Sequence, residues 1–113
     1  MRNIRIFAAA LCLLAAPVFA QSTTQGAIAG TVEDTTDALV PNATITIHNE
    51  GTDAEVHLSA DASGYFKAPL VEPGSYTVTI SASNFGTYVA DHVQVQVGQL
   101  TTLAPKLAAG SAK

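Results

Sequence analysis

Histidines and carboxylates lie close together between residues 46 and 57 of the sequence. Glu50-Gly51-Thr52-Asp53 places glycine where a two-residue type II′ hairpin turn favours it. A hairpin centred there pairs His48 with Glu55 and Thr46 with His57, all on its outer face. Two imidazoles with a carboxylate between them could bridge a transition metal. Outward polar residues on a solvated sheet face need no ligand to explain them, so we predict no metal site.

Other polar residues could in principle bind calcium or catalyse a nucleophilic reaction, but the sequence supports neither. Asp34 with Asp37, and Asp61 with its neighbours, could offer oxygen ligands to calcium, but no EF-hand spacing is present and aspartates stabilise turns without metal. His92 follows Asp91, and serines are plentiful, yet no nucleophile elbow marks any serine. We therefore predict no catalytic residue, no cofactor and no enzymatic activity.

The first twenty residues have the pattern of an export signal. Arg2 and Arg5 precede an uncharged apolar run that is too short to span a bilayer. Small residues before the predicted cleavage site place it between Ala20 and Gln21. We predict a signal peptide over residues 1–20 and an exported mature chain of about 93 residues.

Cleavage would remove Cys12, which is the single cysteine, and both arginines. A mature domain without cysteine has no disulfide, no thiol nucleophile and no cysteine-ligated metal. Nine carboxylates against Lys67, Lys106 and Lys113 give the mature chain a formal charge of −6. That balance excludes a nucleic-acid-binding role.

Threonine, valine and isoleucine alternate with polar residues in short runs, and Gly, Pro, Asn and Asp separate these runs. This period of two indicates strands, and no helical period interrupts it. The pattern predicts an all-β protein, a seven-stranded antiparallel β-sandwich over residues 26–107. A short linker, residues 21–25, precedes the sandwich, and a flexible tail, residues 108–113, follows it. The predicted strands are 26–34, 42–49, 54–60, 65–68, 76–82, 87–97 and 100–107.

Four motifs in order carry a family resemblance: Gly30-Thr31-Val32, Val40-Pro41-Asn42-Ala43, Asp61-x-x-Gly64-Tyr65-Phe66, and Pro73-Gly74-Ser75-Tyr76-Thr77-Val78. Together they resemble the carboxypeptidase regulatory-like domain, which implies a transthyretin-like fold with Greek-key connections. Asn84-Phe85 and Val97-Gly98-Gln99 are similar to the N-terminal extensions of TonB-dependent outer-membrane receptors. The fold is also grouped with carbohydrate-binding-like domains, so the resemblance implies sugar binding as an alternative.

Sugar binding on a β-sandwich usually relies on exposed aromatic rings. Tryptophan is absent, and strand parity assigns Phe66 and Tyr76 to the core. Tyr65, Phe85 and Tyr88 are left as candidate carbohydrate-binding rings, with packing at a corner as the alternative for each.

These observations favour a non-catalytic exported module that serves protein interaction or structural support at the cell envelope. Its location would be periplasmic, outer-membrane-associated or extracellular. The expected partner is an envelope protein or a carbohydrate, with no nucleic acid and no transmembrane segment in the mature chain. The alternatives are a carbohydrate-binding domain and a truncated N-terminal extension of a TonB-dependent receptor.

Overall fold

A computed structural model describes residues 24–110 of the chain. The predicted signal peptide, its cleavage site at Ala20 and Gln21, and residues 111–113 lie outside the described residues. Residues 24–110 contain strands, turns and bends but no helix, which confirms the all-β prediction. The strands are β1 (Gly26–Thr31), β2 (Glu33–Asp34), β3 (Thr44–Asn49), β4 (Glu55–Ser59), β5 (Tyr65–Val71), β6 (Gly74–Ser81), β7 (Tyr88–Val95), β8 (Leu100–Leu103) and β9 (Lys106–Leu107).

Two principal sheets enclose the core. The three-stranded sheet has the order β5-β1-β8, and the four-stranded sheet has the order β4-β3-β6-β7. Strands β2 and β9 pair with each other beside them. In the described part of the chain, no helix has the length and apolar character needed to cross a membrane.

The predicted first and last strands are each divided in two, which gives nine segments instead of seven. The first strand breaks at Val32, whose N–H donates to the Gly64 carbonyl at 2.7 Å instead of to a neighbouring strand. The last strand breaks beside Pro105, which has no N–H to continue a ladder. Its carbonyl still accepts from the Glu33 N–H at 3.2 Å, and this bond aligns β2 with β9.

The sequence predicted a purely antiparallel sandwich, and this part of the prediction is wrong. Strand β1 pairs in parallel with β8, and β2 pairs in parallel with β9. A parallel pair needs a long crossover connection, and here the whole intervening chain supplies it. Alternation shows which face a residue occupies but carries no information about the direction of the neighbouring strand.

The predicted β3–β4 register is confirmed, with Thr46 opposite His57 and His48 opposite Glu55. The predicted turn is wrong. Asp53 takes the left-handed conformation at φ 66°, and its N–H donates to the Asn49 carbonyl at 2.8 Å, which closes a four-residue loop. The predicted β3–β4 register is still correct because the two-residue turn and the four-residue loop are centred at the same point in the sequence.

Strand β5 runs three residues beyond its predicted end at residue 68. Gly26 lies opposite Val71 and Ile28 opposite Ala68, so β5 carries one extra residue in a bulge at Pro69 and Leu70. A bulge tolerates proline because the ladder is already interrupted there. Leu70 adopts φ 62°, a conformation that side chains of its shape rarely take.

The core lies between the inner faces of the two sheets. Phe66 is among its largest side chains and lies directly opposite Gly30 on β1. A side chain at Gly30 would overlap the Phe66 ring, so the glycine makes room for it. None of the described residues buries a charged or polar side chain. The buried apolar residues are Ile28, Val32, Val40, Ala43, Ile45, Ile47, Ala60, Phe66, Ala68, Val71, Tyr76, Val78, Ile80, Val93, Val95 and Leu107.

The described part of the predicted tail, residues 108–110, is bonded to the corner at residues 84–86. The Gly86 N–H donates to the Ala108 carbonyl at 2.8 Å, and the Gly110 N–H donates to the Asn84 carbonyl at 2.8 Å. Phe85 and Ala109 form an isolated antiparallel bridge. The ordered sandwich therefore extends to Gly110.

Substitution of Gly30 by alanine should destabilise the fold. A Cβ atom there would lie 2.7 Å from the Leu103 carbonyl oxygen and 2.9 Å from Phe66 Cζ. The backbone oxygen cannot move without disturbing the β1–β8 pair, so we expect a loss of about 1–3 kcal/mol in denaturant unfolding.

Gly51→Ala is the matched control, because its Cβ would meet nothing closer than Asn49 Oδ1 at 3.4 Å and Gly51 is not among the residues with positive φ. We expect a change within about 0.5 kcal/mol. Equal losses for the two variants would contradict the argument.

Candidate functional site

The outer face of β3 and β4 brings together the residues that were considered, and not predicted, as a metal site. His48 Nδ1 lies 3.0 Å from Glu55 Oε2, and its Nε2 lies 3.1 Å from Asp53 Oδ1. Glu55 Oε1 lies 3.3 Å from His57 Nε2, and His57 Nδ1 lies 3.2 Å from Thr46 Oγ1. The residues form a continuous row, Asp53–His48–Glu55–His57–Thr46, across the hairpin.

This row is a hydrogen-bond network, with a carboxylate on each nitrogen of His48. The bond to Glu55, followed by the bond to Asp53, raises the pKa of His48 above its ordinary value. A metal ligand must be a neutral imidazole, so the same carboxylates that attract a cation favour the protonated ring instead. Within residues 24–110, no group of three or more His, Cys, Asp or Glu residues has the arrangement of a metal site.

The Glu50 carboxylate is the centre of a second hydrogen-bond network. The sequence pattern predicts only a turn at Glu50. Its Oε2 accepts from the His92 backbone N–H at 3.0 Å and from the Thr77 hydroxyl at 2.8 Å. Its Oε1 accepts from the Ser75 hydroxyl at 2.9 Å and lies 3.1 Å from His92 Nδ1. The His92 N–H, followed by the Thr77 and Ser75 hydroxyls, lowers the pKa of Glu50 to about 2.

A bulge in β7 explains why Glu50 is needed there. Tyr76 lies opposite Val93 and Val78 opposite Ala90, so β7 has one extra residue between these pairs. A bulge leaves a backbone group outside the ladder. His92, at φ 56°, has its N–H satisfied by the Glu50 carboxylate from the β3–β4 loop.

Ser75, Glu50 and His92 are the residue types of a hydrolytic triad, but their order is wrong for catalysis. A triad needs the imidazole between the hydroxyl and the acid, so that the ring can take the hydroxyl proton. Here the Ser75 hydroxyl donates to Glu50, and Glu50 lies between it and His92. The carboxylate is strongly stabilised in its charged form, so it is a poor base for the serine proton.

The aspartates considered as calcium ligands accept hydrogen bonds from their own turns. Asp34 Oδ1 accepts from the Thr36 and Ala38 backbone N–H groups at 2.7 and 3.1 Å. Asp61 Oδ1 accepts from the Ser63 and Tyr65 N–H groups at 2.8 and 3.0 Å. Asp37 pairs with Lys106, which also contacts Glu33 at 3.1 Å.

The three candidate aromatic rings lie in different places. Phe85 and Tyr88 are partly buried and pack against the core. Tyr65 is 43% exposed on the outward face of β5, opposite Thr31 of β1. Tyr65 is therefore the most exposed of the three rings, whereas Phe85 borders a separate depression of about 250 Å³ beside Asn42.

A concave surface that the sequence did not reveal lies between the edges of the two sheets. It has a volume of about 420 Å³, and we call it the seam groove. Val56 of β4 and Leu70 of β5 line it, and these side chains are 51% and 73% exposed. The remaining lining residues are Ile47, Asn49, Thr52, Ala54, Val71, Glu72, Pro73 and Tyr76. Leu70 was missed because the predicted β5 ended before it.

Comparisons with known proteins agree with this architecture. A family model described as the carboxypeptidase regulatory-like domain matches residues 27–108. Comparison with curated proteins gives no match. The structural neighbours include GBS52, the minor pilin of Streptococcus agalactiae, at TM-score 0.63 and 9% identity, with coverage of 81% of this chain and 48% of that one.

Two further neighbours have different descriptions. A putative carbohydrate binding protein from Bacteroides uniformis matches at TM-score 0.60 and 20% identity, covering 72% of this chain and 40% of that one. Catechol 1,2-dioxygenase from Pseudomonas arvilla matches at TM-score 0.59 and 10% identity, covering 83% and 55%. The chain spans 40% to 55% of the length of these three proteins, and such low identities show a common fold only.

The stability of the fold should fall in acid partly through Glu50. Its folded pKa, about 2, is below its ordinary value of 4.5, so its stabilising effect is present above pH 4.5 and is lost as pH falls toward 2. We expect Glu50→Gln to be less stable than wild type near pH 6 and to lose less stability between pH 4.5 and 2 in urea unfolding.

Thr77→Val removes one donor to Glu50 and should give an intermediate acid dependence. An acid loss in Glu50→Gln as steep as in the wild type would contradict this account.

Proposed function

Because the chain belongs to the carboxypeptidase regulatory-like domain family, we propose that it is a non-catalytic, exported binding module whose seam groove receives an extended segment of an envelope protein. The single observation that carries the proposal is the edge of β4, which within residues 24–110 pairs only with β3 and lies beside an apolar groove. Export is supported by the charge and hydropathy pattern of residues 1–20.

The backbone of β4 offers hydrogen bonds to an added strand. The Ala60 N–H donates to the Ala43 carbonyl and the Asn49 N–H donates to the Ala54 carbonyl, both at 2.8 Å. The antiparallel pattern therefore directs the even-numbered residues of β4 toward β3. The N–H and C=O groups of Glu55, His57 and Ser59 point to the free edge, where a strand of another protein could pair with them.

The side chains beside this edge define what the partner segment must look like. Val56 and Leu58 project toward the inner side of the sheet, and Leu70 lies across the groove. Glu55 and His57 project to the solvated outer face. An added strand thus needs apolar residues at alternate positions toward the groove and polar residues between them.

Leu70 is the most informative residue of the groove. Its side chain is 73% exposed, so burial of this side chain stabilises the free domain only slightly. That gain does not offset the free-energy cost of the left-handed backbone conformation at this residue. Non-glycine residues incur about 1–2 kcal/mol in that conformation. Strain of this kind persists at binding surfaces, where the bulge aims a side chain at a partner.

Leu70→Asn should stabilise the free domain by about 1 kcal/mol, because asparagine tolerates the left-handed region. The measurement is urea unfolding. Val89→Asn is the control, since Val89 is 54% exposed at a regularly paired position of β7 opposite Thr79, and there we expect a small loss. A loss of stability in Leu70→Asn would show that the conformation is not strained.

The docking proposal is tested by two valines on the edge strands of the same sheet. Val56 and Val89 are 51% and 54% exposed, but only Val56 lines the groove. We expect proteins captured from an envelope extract by wild type to be retained by Val89→Asp and lost with Val56→Asp. Capture that is unaffected by Val56→Asp would contradict the proposal.

The mode of binding is checked by NMR amide exchange on the captured complex. Strand addition should slow exchange at Glu55, His57 and Ser59, while Val56 and Leu58 change little because they already pair with β3. Protection that does not alternate along β4 would exclude strand addition.

A further inference from the structure

A second concave surface runs along the outward face of β1 and adjoins the seam groove at Leu70. Ala27, Ala29 and Thr31 alternate with the inward residues of that strand. Ala29 lies between Lys67 of β5 and Thr102 of β8, and it is only 2% exposed although it faces outward. Small residues in the central strand and larger ones on both neighbours produce a trough, which we call the β1 trough.

The trough has two parts, one toward each end of β1. Two adjoining depressions of about 230 and 320 Å³ both include Leu100 in their walls. Tyr65 lines the first depression, and Lys67 and Pro69 line the second. Six strand residues span roughly 20 Å, so the trough is long, straight and shallow.

We propose that the β1 trough binds an extended, uncharged oligosaccharide, with the Tyr65 ring against the apolar face of one sugar. Ala27 and Thr31 on the floor are half-buried and small, so they leave space for flat rings between the larger flanking side chains. Thr102 at one end, with Gln25 and Gln99 at the other, offers hydrogen bonds to hydroxyl groups. Aromatic side chains bind such ligands because they combine an apolar face with a polar edge.

The charges in the trough favour a neutral ligand. Lys67 contributes one cation, and Glu33 contributes one carboxylate at the other end. Glu33 is already paired with Lys106 at 3.1 Å. Neither a polyanion nor a polycation would find a matching set of charges here.

The backbone of β1 excludes an added protein strand as the occupant. Strand β1 is central, with β5 on one side and β8 on the other, so its N–H and C=O groups are already committed to the sheet. Recognition in the trough therefore depends on side chains and shape. Leu70 borders both surfaces, but Val56 and the β4 edge line only the seam groove and Tyr65 lines only the trough. Substitutions at Val56 and Tyr65 therefore test the two proposals separately.

The test uses ¹⁵N-labelled residues 21–113 with two soluble probes, cellohexaose and maltohexaose. The first is an extended β-1,4-linked chain and the second a curved α-1,4-linked one. We expect cellohexaose to shift the amide signals of Ala27, Ala29 and Thr102, and to bind at least about tenfold more tightly than maltohexaose.

Three variants locate the contact. Tyr65→Ala should weaken cellohexaose binding about tenfold or more, whereas Tyr65→Phe keeps the ring and should bind like wild type. Ala27→Leu places a side chain on the floor and should block the second depression. Val89→Asp, on β7 and outside both surfaces, should bind normally, and thermal unfolding verifies that each variant is folded.

The proposal is overturned if neither sugar shifts the trough amides, if the shifts fall on the seam groove instead, or if folded Tyr65→Ala binds as tightly as wild type. Equal binding of the two sugars would overturn the preference for an extended chain.

Discussion

The contact between Phe66 and Gly30 is the constraint on which both sheets depend. Phe66 reaches the centre of the core because the residue opposite it on β1 has no side chain. The absence of a Cβ also lets the Leu103 carbonyl of β8 approach the other side of the strand. One glycine therefore permits the antiparallel pair with β5, the parallel pair with β8 and the filled interior at the same time.

Strand β1 also determines the shape of the solvent-facing surface of the three-stranded sheet. Its sequence, Gly-Ala-Ile-Ala-Gly-Thr, alternates core residues with small outward ones. Small outward side chains leave a trough only because β5 and β8 carry larger residues on that face. The outer face of the four-stranded sheet is different, since its histidines, glutamates and threonines form side-chain networks.

Local pattern was enough to predict much of the fold. Alternation identified the core residues of β3 and β6, and centring the hairpin gave the pairing of His48 with Glu55. The role of Asp61 in stabilising its own turn also followed from turn chemistry. In each case the interacting residues are close in sequence or lie on one strand, so short-range rules suffice.

The features that sequence reasoning missed depend on distant partners. Glu50 meets Thr77 and His92, which are 27 and 42 residues away, and nothing local to Glu50 signals them. The bulges at Leu70 and His92 arise from pairing with β1 and β6, so alternation within β5 or β7 could not reveal them. The candidate binding surfaces depend on these same long-range pairings. Tyr65 is the exception, because alternation along its strand predicted that its side chain is exposed.

The parallel pairing of β1 with β8 also determines how the domain would respond to mechanical tension. The chain enters β1 and leaves after β9, and in a parallel pair those two ends lie at opposite ends of the ladder. A force applied there would slide the strands past each other and load all of their hydrogen bonds at once. An antiparallel terminal pair would instead unzip one bond at a time.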